Sequence, residues 1–278
     1  MKEKKGNFIH SKNIIESPAE LYHENSKDNM TNSYLAGRSL RAYETLAGHL
    51  QSLPPYKTYP NVKHIKLPNT NIPSYYAFDE IIQKRRSIRY FVDEPMDLEI
   101  LSQILFHANG ITYTHQTVDI AFRAAPSAGA LYPVEIYPVI FNVDVLEPGV
   151  YHYNAKEHCL EELRLGDFSD TMYVMVHAQD MILDCAVALV LTGIFFRTKV
   201  KYGERGYRFV WLDCGHISQN IYLSATSLDI GCCTIGGFLD DQVSDLVGVD
   251  SVNEAPLYIA LLGKPDFEKM TGIQQAEY

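Results

Sequence analysis

From residue 77 onward the chain alternates between two hydrophobic periods. Apolar residues three and four apart share one face of a helix, whereas a short alternating or unbroken apolar run marks a strand. Residues 78–86 read as a helix, and so do residues 97–109, where Leu98, Leu101, Leu105 and Ala108 share a face and Gly110 ends the pattern. Residues 134–143 are rich in β-formers and predict a strand, and 150–154 with 159–164 predict a hairpin. Residues 170–183 read as helical. The run 186–196 is apolar throughout, as a central strand covered on both faces requires. Cys214, Ile217, Ile221, Ala225 and Leu228 recur at helical spacing and predict a core helix over 211–228. A short helix at 240–247 and a last strand at 256–262 follow. Helices and strands mix without strict β-α-β alternation, which predicts one α+β domain over residues 76–278.

Residues 1–75 read instead as an arm with two short helices, at 17–22 and 35–50. Pro54, Pro55, Pro60, Pro68 and Pro73 then predict an extended segment lying on something else. Charge narrows the partners. The 278 residues carry 24 Lys and Arg against 34 Asp and Glu, a net charge of −10 that repels nucleic acid and anionic membranes. The longest apolar run, 185–196, falls short of the roughly 20 residues a membrane span needs. The lysine-rich start has no apolar core after it, so no secretory signal is read and a cytoplasmic location is expected. Cys159, Cys185, Cys214, Cys232 and Cys233 are odd in number and lack C-x-x-C spacing, which argues against a disulfide framework and a structural zinc. They read as reduced, partly buried thiols, with a redox pair at Cys232 and Cys233 as the alternative.

Three segments suggest chemistry. Lys84, Arg85, Arg86 and Arg89 form one basic run, and Arg197, Lys199, Lys201, Arg205 and Arg208 a second. A focused positive site on an acidic body suits a small anion such as a phosphate, although each run also fits a solvated face. The small residues of Ala125-Pro126-Ser127-Ala128-Gly129-Ala130-Leu131-Tyr132-Pro133 allow backbone amides close to a flat ligand, and the prolines fix the frame. Gly236-Gly237, within Gly231-Cys232-Cys233-Thr234-Ile235-Gly236-Gly237-Phe238, leaves N–H groups free to face an electron-rich edge. Neither Rossmann nor P-loop spacing is present.

Taken together these segments resemble one family. Arg85-Arg86-Ser87-Ile88-Arg89-Tyr90-Phe91 looks like the opening flavin signature of the nitroreductase superfamily. Residues 126–135, 201–209 (Lys-Tyr-Gly-Glu-Arg-Gly-Tyr-Arg-Phe) and 215–220 (Gly-His-Ile-Ser-Gln-Asn) resemble its SagB-type (McbC-like) oxidoreductase branch. That resemblance implies an FMN-binding α+β sandwich with a central, mostly antiparallel sheet flanked by helices, assembled as an intertwined homodimer. It implies that Arg85, Ser87 and Arg89, with Arg86 beside them, hold the FMN phosphate and ribityl chain. Pro126, Ser127, Ala128 and Gly129 of the other subunit would line the isoalloxazine, and Ile235, Gly236 and Gly237 would approach its N5 edge. Lys201 and Tyr202 stand where the branch keeps its catalytic pair; the bland alternative is one more cation and a core aromatic. His216 reads as a packing or dimer-contact residue, and Gln219 and Asn220 as bonding either the flavin or the neighbouring chain. The implied activity is oxidation of thiazolines or oxazolines to thiazoles or oxazoles in a ribosomally made or carrier-bound peptide. A cyclodehydratase and a leader-peptide-binding protein are the implied partners. The alternative is an NAD(P)H-dependent nitro or quinone reductase.

Overall fold

The computed structural model describes residues 17–27, 56–69, 71–114 and 121–270. In chain order, helix α1 (Pro18–Asn25) is followed by β1 (His64–Lys66), α2 (Phe78–Lys84), β2 (Phe91–Val92) and α3 (Leu98–Asn109). Next come β3 (Ile111–Thr114), β4 (Ala121–Arg123), β5 (Val134–Ile140), β6 (Gly149–Asn154), β7 (Cys159–Leu165) and α4 (Ser169–Met175). The chain ends with β8 (Val187–Ile194), α5 (Phe195–Tyr202), α6 (Arg205–Ser227), β9 (Gly231–Ile235), α7 (Asp240–Val247) and β10 (Glu254–Pro265).

Eight strands form one sheet in the order β1-β7-β6-β5-β8-β10-β2, with β9 also paired to β10, and every pairing is antiparallel. The expected α+β layout with a large antiparallel sheet is the one observed. Strand β8 shows why its sequence is apolar without a break. Successive side chains point to opposite faces: Val187, Leu189 and Leu191 join one core with α3 and α6, while Ala188 and Val190 join a second with α4 and α7. Each buried Leu, Ile or Val there contributes about 1.5–3 kcal/mol.

Several elements depart from expectation. The helix read over 170–183 splits, because His177 and Ala178 adopt left-handed backbones after α4 and only a 3-10 turn, Asp180–Ile182, follows. The apolar run 186–196 ends as a strand at Ile194; Phe195 and Phe196 open helix α5 instead. Helix α6 begins earlier than the apolar pattern, at Arg205, and residues 231–235 are a strand. Helix 35–50 lies outside the described residues. Within the segment read as an arm, β1 adds to the sheet edge along β7. Lys57 Nζ reaches Glu254 at 2.6 Å and the Tyr137 hydroxyl at 2.7 Å, so the arm is pinned to the sheet by polar contacts.

Candidate active site

Helix α6 is the frame. Its buried face carries Val210, Cys214, Ile217, Ile221 and Ala225, and among the polar groups buried with them are Asp213 and Tyr222. They stand nine positions apart, about 13 Å along the axis. Each anchors one of the segments singled out above.

Asp213, 4% exposed, accepts a hydrogen bond from Ser127 Oγ at 2.5 Å and another from the Ala128 backbone. Burial pushes its carboxyl up; Ser127, Ala128 and His216 offset this only in part. Ser127 Oγ in turn accepts from the Tyr132 N–H at 2.9 Å. The loop thus stapled to α6 is bent sharply: Gly129, Ala130 and Tyr132 have φ of 65°, 54° and 45°. Such backbones cost a non-glycine residue about 1–3 kcal/mol. A side chain at Gly129 would also have to displace Lys201 and Tyr202, since a Cβ there would lie 2.6 Å from the Tyr202 hydroxyl and 3.0 Å from Lys201 Nζ. The structure therefore brings Ser127, Ala128 and Gly129 together with Lys201 and Tyr202 in one chain. Helix α5 ends at this point, where Gly203 turns with φ 57°.

Tyr222 anchors the second segment. Its hydroxyl lies 3.1 Å from Ser87 Oγ, 3.2 Å from Thr234 Oγ1, and accepts from the Thr234 N–H at 2.9 Å. The Arg85 guanidinium stands 5.4 Å from the Tyr222 ring centre. Ile88 donates to the Cys232 carbonyl at 2.9 Å, which locks the segment to β9. Arg89 is exposed and opens on a pocket of about 500 Å³ shared with Asp180, Asp184 and Lys269. Arg86 is not with them. It folds back onto the carbonyls of Gln83 and Arg85 and lines a separate pocket with Tyr76, Lys84 and Phe267.

Between these ends lies the tip of β9. Ile235 is buried, and Gly236 lines a pocket of about 260 Å³ walled by Trp211, Cys214, Gly215, Phe238 and Tyr258. No atom lies within 4 Å of where a Cβ of Gly215 would sit, and only the Tyr258 ring approaches that of Gly236. The result is a shelf of bare backbone beside aromatic rings.

The second basic run is not a free anion site. Arg197 is buried against Glu135, Lys199 faces Glu204 at 3.2 Å, and Arg205 and Arg208 bond the C-terminal end of α1 at Ser26 and His23. All five cysteines are buried and free. Burial pushes the Cys232 and Cys233 thiols up, which disfavours the thiolate a redox pair needs. Among the described residues no helix is long and apolar enough to cross a membrane. His216 and Gln219 are exposed, while Asn220 donates to the His107 carbonyl at 3.1 Å. Asp213 and Tyr222 escaped the sequence reading. Asp213 had a signal: it falls on the same stripe as Ile217 and Ile221, where a carboxylate needs a partner.

The nitroreductase family model matches residues 82–264. A Methanocaldococcus jannaschii protein described as a nitroreductase is 32% identical over 205 residues, covering 74% of this chain and 94% of its own. The microcin B17-processing protein McbC of Escherichia coli is 29% identical over 153 residues, covering 53% of this chain and 56% of its own. Among solved structures, a protein of Anabaena variabilis described as a nitroreductase superposes with a TM-score of 0.68 at 28% identity, covering 88% of this chain and 45% of its own. The chain belongs to the nitroreductase family.

Proposed function

We propose that the chain is an FMN-dependent dehydrogenase of the SagB-type (McbC-like) branch, oxidising thiazoline or oxazoline rings in a ribosomally made or carrier-bound peptide. The observation that carries this is the meeting of Lys201 Nζ and the Tyr202 hydroxyl over Gly129, 3.0 and 2.6 Å from where a Cβ would be. A lysine amine and a phenol side by side at a glycine-walled loop suit removal of a weakly acidic Cα–H. Likeness to the microcin B17-processing protein supports the substrate class.

The residues fit FMN. Gly236 and Gly215 leave bare backbone beside Trp211 and Tyr258, a cradle that a Cβ would narrow. Arg85 and Ser87 supply a cation and a hydroxyl at the far end of α6, and Arg89 a second cation at a pocket of its own. Bound there, FMN supplies a hydride acceptor. This chain's own residues do the rest. Lys201 takes the Cα proton, and Tyr202 holds the ring against it. One proton and one hydride leave each ring, which becomes aromatic. The working unit in this proposal is a homodimer, with a cyclodehydratase and a leader-peptide-binding protein as partners that supply the azoline.

A second reading, an NAD(P)H-dependent nitro or quinone reductase, is favoured by likeness to the M. jannaschii protein along nearly all of that protein's length. One experiment separates them. The FMN-reconstituted protein is given a synthetic peptide carrying one thiazoline, and in parallel NADPH alone. The proposal expects about one FMN per chain and a peptide mass loss of about 2 Da, with slow bleaching by NADPH. Rapid bleaching with an unchanged peptide establishes the reductase.

A further inference from the structure

The turn that carries Gly129 is held by buried charges that the proposed chemistry does not use. The Tyr132 carbonyl accepts a hydrogen bond from Arg197 Nη1 at 2.9 Å, and the same nitrogen donates to Glu135 Oε1 at 2.5 Å. Glu135 Oε2 lies 3.3 Å from His152 Nε2, and His152 Nδ1 lies 2.7 Å from Glu161 Oε2. Asn154 donates to the other Glu161 oxygen at 2.8 Å. Arg197 is 7% exposed, Glu135 3%, His152 and Glu161 0%. A neutral imidazole has a single N–H, so carboxylates on both ring nitrogens call for the doubly protonated ring. Burial alone would push the His152 pKa down, yet Glu135 and Glu161 outweigh it and hold it above its ordinary value. The Tyr59 and Tyr137 rings pack on His152 at 5.2 and 5.0 Å, and His64 faces Glu161 at 3.7 Å.

Arg197 sits in the first turn of α5, and Lys201, four residues on, shares its face. One short helix therefore meets the loop twice, through Arg197 at Tyr132 and through Lys201 and Tyr202 at Gly129. A left-handed turn of this kind persists only where its surroundings over-determine it.

We propose that Glu135 and His152 are positioning residues: acting through Arg197, they hold the 129–132 turn in register with Lys201 and Tyr202. This rests on the azoline-dehydrogenase reading of Lys201. A role confined to packing would lower stability in any background, whereas a positioning role depends on Lys201 being there to position.

The test is a double-mutant cycle on the holoenzyme, using Glu135→Gln, Lys201→Ala and their combination, with turnover of the thiazoline peptide, flavin content and hydrogen exchange over 126–133 as readouts. Glu135→Gln is expected to lower kcat about tenfold, with KM and flavin content within about twofold, and to speed exchange at 126–133. In the Lys201→Ala background the same substitution should change kcat less than about twofold, because a displaced base and a missing base are equivalent. Arg197→Lys, which keeps a cation beside Glu135 but shortens the reach to Tyr132, serves in the same cycle if Glu135→Gln does not fold. Equal losses in both backgrounds, or unchanged exchange at 126–133, overturn the proposal. Full turnover by Lys201→Ala overturns the functional reading instead, and exchange at 126–133 then decides the anchoring by itself.

Discussion

Arg89 and Arg197 each belong to a short run of basic residues, and the fold puts them in opposite environments. Arg89 is exposed at the rim of an open pocket, while its neighbours Lys84 and Arg85 lie over the rings of Tyr76 and Tyr222. Arg197 is enclosed by Glu135 and the Tyr132 carbonyl, and its neighbours Arg205 and Arg208 hold α1. A cation left at the surface keeps its charge for a ligand. One that is buried must be neutralised by the protein itself, and it then serves the fold. Local charge density does not distinguish the two, because the deciding carboxylate, Glu135, is 62 residues away from Arg197.

Substitutions at the two arginines separate a ligand-facing cation from a structural one. The largest effect is expected from Arg197→Met, which leaves the buried Glu135 carboxylate without its closest cation and should destabilise the protein by about 3–5 kcal/mol in urea denaturation. Arg89→Ala should do the reverse: stability within about 0.5 kcal/mol of wild type, and FMN affinity weaker by about 1.5–3 kcal/mol in a fluorescence titration. A stable Arg197→Met or an unstable Arg89→Ala would break the contrast.

The pH dependence of unfolding carries the same signature. Burial pushes the Glu135 carboxyl up, but Arg197 and His152 overcome this and hold it at about 2 against 4.5. A depressed carboxylate contributes stability that is present above its unfolded value and is lost as pH falls from 4.5 toward about 2. His152 has the opposite sign. Its contribution is full below 6.5 and is lost as pH rises through its raised folded value. Glu135→Gln should flatten the acid limb of a pH–melting curve, and Arg89→Ala should leave both limbs in place. The smallest effect is expected from Arg208→Ala, which frees the His23 carbonyl and Ser26 hydroxyl. It should cost about 1 kcal/mol, seen as faster hydrogen exchange over 18–25.

Much of the architecture was legible because it is periodic. The stripe from Cys214 to Ala225 and the run through β8 follow from helical and strand geometry acting on consecutive residues. Phe195 and Phe196 were misread because they prolong an apolar run across a strand-to-helix junction. Strand β9 was missed because its glycine-flanked sequence resembles a loop, although β10 supplies its partner. The site divides in the same way. Arg85, Ser87 and Gly129 stand in contiguous motifs, and the structure seats each at a distinct contact. Asp213 meets Ser127 across 86 positions, and Tyr222 meets Ser87 across 135. Such pairings arise only from the tertiary fold. The same distance hid the loss of the second basic run as an anion site.

In the proposed reaction Lys201, at the Gly129 turn, removes the proton in azoline oxidation. The most direct measurement follows the mass of a one-thiazoline peptide incubated with FMN-loaded wild type and with FMN-loaded Lys201→Ala at matched flavin content. The account predicts a loss of about 2 Da with wild type and a rate at least about 100-fold lower with Lys201→Ala, the size of a missing general base. Equal rates for the two proteins, with flavin bound in both, would contradict it.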